Sequence, residues 1–132
     1  MSYDIGLYRR DFLKRVIENK LDDWLGADRI PEQTIQAALE AAKVEGFVLR
    51  PLKLPSGATT TTTNFACRAE LMKETPTLLA QLHIFPGQIA LTIPCGPLVR
   101  DSVPFCTRLA KQIARTHGLG YRDPQTGEAL YD

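Results

Sequence analysis

The sequence has little of what usually announces a chemistry. Three cysteines (Cys67, Cys95, Cys106) and two histidines (His83, His117) are scattered through 132 residues. An odd, sparse cysteine set argues against a disulfide framework and fits a reducing cytoplasm. No Cys-x-x-Cys or His-x-x-x-His spacing occurs, so no zinc site is expected. Cys106 and His117 share one predicted helix but would lie about 16 Å apart along it, too far for a thiol–imidazole dyad. Cys95 has the parity of Ile89, Leu91 and Ile93, which directs it to the core, whereas His83 takes the other parity. Buried cysteine acts as a small hydrophobe, the reading expected for Cys67 and Cys106.

Phosphate-cradling loops are missing as well. "GLG" at 118–120 runs into Tyr-Arg-Asp, without the third glycine and following helix of a dinucleotide site. There is no Gly-x-x-x-x-Gly-Lys-Ser/Thr and no Gly-x-Ser-x-Gly. Asp22 and Asp23 are adjacent, so on a helix they splay by about 100° rather than converge. Glu70 and Glu74 would converge only on a helix, and their segment reads as a strand. No catalytic, metal-ligating or cofactor-binding residue is therefore assigned, and no cofactor is expected.

Charge of one sign is not in excess. Sixteen Lys and Arg against fifteen Asp and Glu give +1, and a nucleic-acid binder should concentrate positive charge. The cluster Arg9, Arg10, Lys14, Arg15 is interleaved with acids, as on a salt-bridged helix face. No apolar run approaches the roughly 20 residues needed to cross a bilayer. The opening "MSYDIGLYRRDF" is charged too early for a signal peptide. Neither nucleic acid nor membrane is an expected partner.

What is present is an alternation of strand and helix patterns in a chain of ordinary hydrophobic content (44%). Residues 2–9 alternate as a half-buried strand. Asp11 is placed to cap a helix carrying Leu13, Val16, Ile17, Leu21 and Trp24, with Gly26 as its stop. A second helix should open at Pro31 and bury Ile35, Ala38, Leu39 and Ala42, ending at Gly46. Residues 47–54 return as a strand, with Pro51 marking an edge or a bulge. The threonine run Thr59–Thr63 suits a β-ribbon after the Pro55-Ser56-Gly57 turn, with a loop as the alternative.

"LLAQLHIFPGQIALTIP" is the most informative stretch. A four-residue loop at Phe85–Gln88 pairs Ile84 with Ile89, Leu82 with Leu91, His83 with Ala90 and Gln81 with Thr92. One face is then apolar and the other mixed. Asp101 or Ser102 is placed to cap a third helix with Pro104 in its first turn. Its apolar stripe is Cys106, Leu109, Ala110, Ile113 and Ala114, and Gly118 stops it. "LGYRD" follows as a strand and Pro124–Gly127 as a turn. The expected fold is α+β in a single domain over residues 1–132. It has an antiparallel sheet of about four to six strands with helices mainly on one face, a ferredoxin-like variant among the options. The strand order is not legible.

The opening "YDIGLYR" and closing "GYRDPQTGEALY" resemble small bacterial α+β immunity proteins, including those paired with type VI secretion effectors. These begin on a Tyr-Asp strand and end on a helix, a strand and an Asp-Pro-Gln-x-Gly turn. The resemblance implies a non-enzymatic binding module that docks on a cognate antibacterial toxin and occludes its cleft. Trp24, Tyr121, Arg122 and Tyr131 are the candidate partner-binding residues, because interfaces rely on aromatic and arginine anchors. Two other classes stay open. One is a small enzyme or ligand binder with a cleft between sheet and helices, favoured by a pocket lined by Cys95, His83 or Glu70. The other is a homodimer or larger homo-oligomer pairing through an exposed edge, such as the threonine strand.

Overall fold

The computed structural model describes residues 2–20, 27–50 and 67–132. The threonine run, the turn at 55–57, Pro51, Leu21, Asp22, Asp23, Trp24 and Gly26 lie outside them. Strand β1 (Ser2–Arg9) leads into helices α1 (Arg10–Glu18) and α2 (Glu32–Val44). Strands β2 (Val48–Arg50), β3 (Ala69–Glu74), β4 (Leu79–Ile84) and β5 (Ile89–Pro94) follow, then α3 (Val99–His117), β6 (Leu119–Asp123) and β7 (Glu128–Leu130).

The described strands form one antiparallel sheet in the order β2-β3-β4-β5-β1-β6-β7. Its middle, β4-β5-β1-β6, has the adjacency and connections of a ferredoxin-like β-α-β-β-α-β unit, and β2–β3 and β7 extend its two edges. Seven strands exceed the expected count by one. The addition is β7, whose three residues show only exposed or half-exposed side chains and so leave no apolar alternation to read.

The register of the β4–β5 hairpin is the one the alternation requires: Ile84 opposes Ile89, Leu82 Leu91, His83 Ala90 and Gln81 Thr92. Its loop closes through Phe85 N–H to Gln88 O at 2.8 Å. The inward parity of β1, β4, β5 and β6 supplies Ile5, Leu7, Leu82, Ile84, Ile89, Leu91, Ile93, Leu119 and Tyr121 to the main core. Against them pack Ile35, Ala38 and Ala42 of α2 and Cys106, Leu109, Ala110 and Ile113 of α3. The other sheet face is partly covered at the β1/β6 end by α1, through Tyr8, Phe12, Leu13 and Val16. There Gly120 makes room: a Cβ on it would lie 2.7 Å from Leu13 Cδ2.

Two helix starts differ from expectation. Helix α1 begins at Arg10 with Arg9 as its N-cap, and Asp11 sits inside the first turn, where it pairs with Arg9 at 2.7 Å and still accepts the Phe12 N–H at 3.0 Å. Helix α3 begins at Val99, with Leu98 as its N-cap. Ser102 is fully buried, and its hydroxyl accepts the Leu79 N–H at 2.9 Å, which ties the helix to β4. Its oxygen serves a tertiary bond instead of a cap. Gly118 ends α3 in the left-handed conformation (φ 71°), as expected for a C-terminal glycine. Arg10 completes that end by donating to the carbonyls of Ala114 and Leu119. Arg68, just before β3, holds Glu32 at the start of α2 with two bonds of 2.8 and 2.9 Å, which lowers the Glu32 pKa to about 2.

Candidate protein-binding surface

The closing "GYRDPQTG" is a structural device. Asp123 is 2% exposed at the end of β6. Its Oδ1 accepts the backbone N–H of Gln125 (2.9 Å) and Thr126 (3.3 Å), an Asx-type turn that opens the β6–β7 hairpin. Its Oδ2 accepts the Tyr3 hydroxyl at 2.5 Å, which joins the two ends of the sequence. Gly127 takes the positive φ (79°) needed to close the turn, and its N–H bonds Asp123 O at 2.9 Å. Burial, then the Asp123 carboxylate, push the Tyr3 phenol up to about 12.

Of the four candidate anchors, the structure describes three and brings none of them together at an exposed site. Tyr121 was expected to be partly exposed, but it is fully buried in the main core. The correction follows from parity, because Leu119, Tyr121 and Asp123 alternate toward the core. Burial first, then the Asp123 charge, raise the Tyr121 pKa to about 12. Thr107 acts in the opposite sense, but the two hydroxyls fall outside hydrogen-bond geometry, leaving the phenol oxygen buried without a bond. Arg122 is half-buried on the opposite sheet face beside Gly6. Tyr131 packs, partly buried, against the α1 cluster. Trp24 lies outside the described residues.

The sheet face away from α2 and α3 carries a row running Arg50, Glu70, His83, Ala90, Gly6, Arg122, Ala129 across the strands. Within it His83 Nε2 lies 3.7 Å from Glu70 Oε1, each side chain 23% exposed. That separation is long for a hydrogen bond and makes an ion pair only when His83 is protonated. Tyr8 lies over Gly6, where a Cβ would meet its ring at 2.7 Å, and its hydroxyl accepts from Gln88 at 2.9 Å. Among the described residues no group of three or more His, Cys, Asp or Glu is arranged to hold a metal.

Cys95 corrects another expectation. The chain leaves β5 at Pro94, so strand parity no longer applies and Cys95 is exposed instead of core-directed. Cys106 is buried, with its thiol raised to about 12 by burial; Cys67 is half-buried, with its Sγ donating to Ala69 O. Beside Tyr121 a cavity of about 170 Å³ is lined by Arg10, Lys111, Arg115, Leu130 and Asp132 among others. A groove of about 610 Å³ follows α3. Neither is lined by Cys95, His83 or Glu70.

Three of the four large apolar side chains exposed among the described residues lie between positions 44 and 49. Val44 at the end of α2 is 84% exposed, Val48 64% and Leu49 56%. Leu49 has core parity opposite Leu71, yet it stays exposed because its strand is the last described one in the sheet. Sequence reasoning missed these exposed side chains, although "VEGFVL" shows four apolar residues flanking a helix stop, of which only Phe47 is buried. No protein-family model matches the chain, and neither a curated protein nor a solved structure is significantly similar to it. Among the described residues no helix is long and apolar enough to cross a membrane.

Proposed function

We propose that this chain is a non-enzymatic protein-binding module of the cytoplasm that neutralises a cognate antibacterial toxin by docking on it and occluding its active cleft. The observation that supports this reading is the exposed strand β2, on which Val48 and Leu49 are 64% and 56% exposed. Large apolar side chains on the outermost described strand fit a protein partner, which can bury them. Tagged protein is used to capture partners from the host's lysate, and each captured protein is then expressed alone and together with this chain. A stoichiometric partner that is toxic alone and harmless on co-expression upholds the reading. Recovery of the chain alone, or of partners whose effect it does not change, removes it. Val48→Glu with Leu49→Glu should weaken the capture.

The same strand favours a second reading, self-association through β2, since it is the outermost described strand of the sheet and an edge strand is a template for a second copy. Light scattering coupled to size exclusion separates the two. A dimer that dissociates on Leu49→Lys supports self-association, and a monomer throughout excludes it.

A further inference from the structure

The nineteen residues of α3 carry four cations, Arg100, Arg108, Lys111 and Arg115, against one acid, Asp101. At about 100° per residue the four fall within an arc of about 80°. The buried residues Ser102, Cys106, Leu109, Ala110, Ile113 and Ala114 occupy the opposite side of the helix. A chain of net charge +1 thus places a quarter of its sixteen basic residues on one helical stripe. Arg100 and Arg115 are exposed and have no ion pair among the described residues. Arg108 sits 5.9 Å from the Phe105 ring centre, and Lys111 pairs with Glu128 at 2.9 Å. The groove of about 610 Å³ runs among Pro104, Thr107, Arg108, Lys111, Gln112 and Arg115, so three of the four cations border a partly apolar channel.

We propose that this solvent face of α3 is the docking surface for an acidic protein partner, whose carboxylates pair with Arg100, Arg108, Lys111 and Arg115. The inference rests on the protein-binding reading and adds to it a surface and a charge. Arginine bordering an apolar channel is the composition of interface centres, and guanidinium binds carboxylate in a two-pronged fit. A nucleic-acid backbone suits the face less well. Asp101, Glu128 and Asp132 flank the stripe and would repel a continuous line of phosphates. A protein surface can instead set single carboxylates between them.

The probes are poly-L-glutamate and a DNA duplex, titrated by calorimetry into the full chain between about 50 and 200 mM salt. The variants are Arg108→Glu with Arg115→Glu, Arg108→Gln with Arg115→Gln, and the control Lys14→Glu with Lys20→Glu, away from α3. Circular dichroism and melting temperature establish that each is folded, and the glutamine pair serves if the glutamate pair is not. The expected result is salt-sensitive binding of poly-L-glutamate that the α3 variants weaken about tenfold or more, equivalent to about 1.4 kcal/mol. The control should bind like the unchanged chain. Binding unaffected by the α3 variants, no binding at all, or α3-dependent binding tighter for DNA would each overturn the proposal. A toxin neutralised equally by the chain and its α3 variants would remove this surface while leaving the inhibitor reading standing. Binding through α3 in a chain that neutralises no toxin would do the reverse.

Discussion

Replacing Asp123 with alanine should be among the most damaging changes at the polar positions of this fold. The carboxylate is 2% exposed and accepts three described bonds, from the Tyr3 hydroxyl and the Gln125 and Thr126 N–H groups. Bonds to a charged group contribute about 1.5–3 kcal/mol each when the orphaned partner stays buried. Gln125 and Thr126 are exposed, so water can replace part of what their N–H groups lose. Tyr3 is only partly exposed and recovers less. The sum is a loss of about 2–4 kcal/mol, or about 10 °C in melting temperature for a domain of this size. Asp123→Asn keeps an acceptor for the turn and should cost about 1 kcal/mol. The assay is urea and thermal unfolding of both variants, of Tyr3→Phe and of Asp123→Ala with Tyr3→Phe. The double-mutant cycle should give a Tyr3–Asp123 coupling of about 1 kcal/mol or more. An alanine variant within about 2 °C of the unchanged protein, or a coupling near zero, would refute the reasoning.

Three other outcomes follow from the same physics. Tyr3 and Tyr121 are raised from 10 to about 12, so the folded state prefers them neutral. Their contribution is complete below pH 10 and is lost as pH climbs through 12; urea midpoints should fall across that window, and a midpoint flat to pH 12 contradicts this. Gly87→Ala would place a Cβ 2.5 Å from Ala27 O, in a segment held by the Ile30 N–H to Pro86 O bond. Its expected cost is about 1–3 kcal/mol in urea unfolding, and a neutral result would mean that segment shifts freely. With a thiol reagent under native conditions, exposed Cys95 should react first and buried Cys106 only on unfolding. Mass-mapped labelling that found Cys106 modified early would contradict its burial.

How much of this was legible in the sequence depended on the range of each interaction. The β4–β5 register was readable because both partners lie within sixteen residues, and a one-residue slip would turn Leu82, Ile84, Ile89 and Leu91 outward. The buried stripe of α3 was readable for a similar reason, with its period of 3.6 recorded in consecutive residues. The start of α3 was not. Ser102 looks like a cap locally, but its hydroxyl is taken by Leu79, twenty-three positions away. Tyr121 and Cys95 show strand parity disregarded in one place and carried too far in another. The alternation of "LGYRD" holds and carries Tyr121 inward, whereas that of "IALTIPCG" stops at Pro94, one residue before Cys95.

The surface proposed for partner binding was the least visible part, for a physical reason. A buried stripe must be continuous to exclude water, so it leaves a dense pattern in the sequence. Four cations at positions 100, 108, 111 and 115 need only share a side of a helix, and three intervals of eight, three and four residues look unremarkable until the buried face is fixed. Once Cys106, Leu109, Ala110 and Ile113 define the inside of α3, the same spacing places every cation of the helix on the outside. Core positions are constrained by one another, whereas surface charges are constrained by a partner that the chain does not contain. Their arrangement becomes informative only after the core has set the geometry.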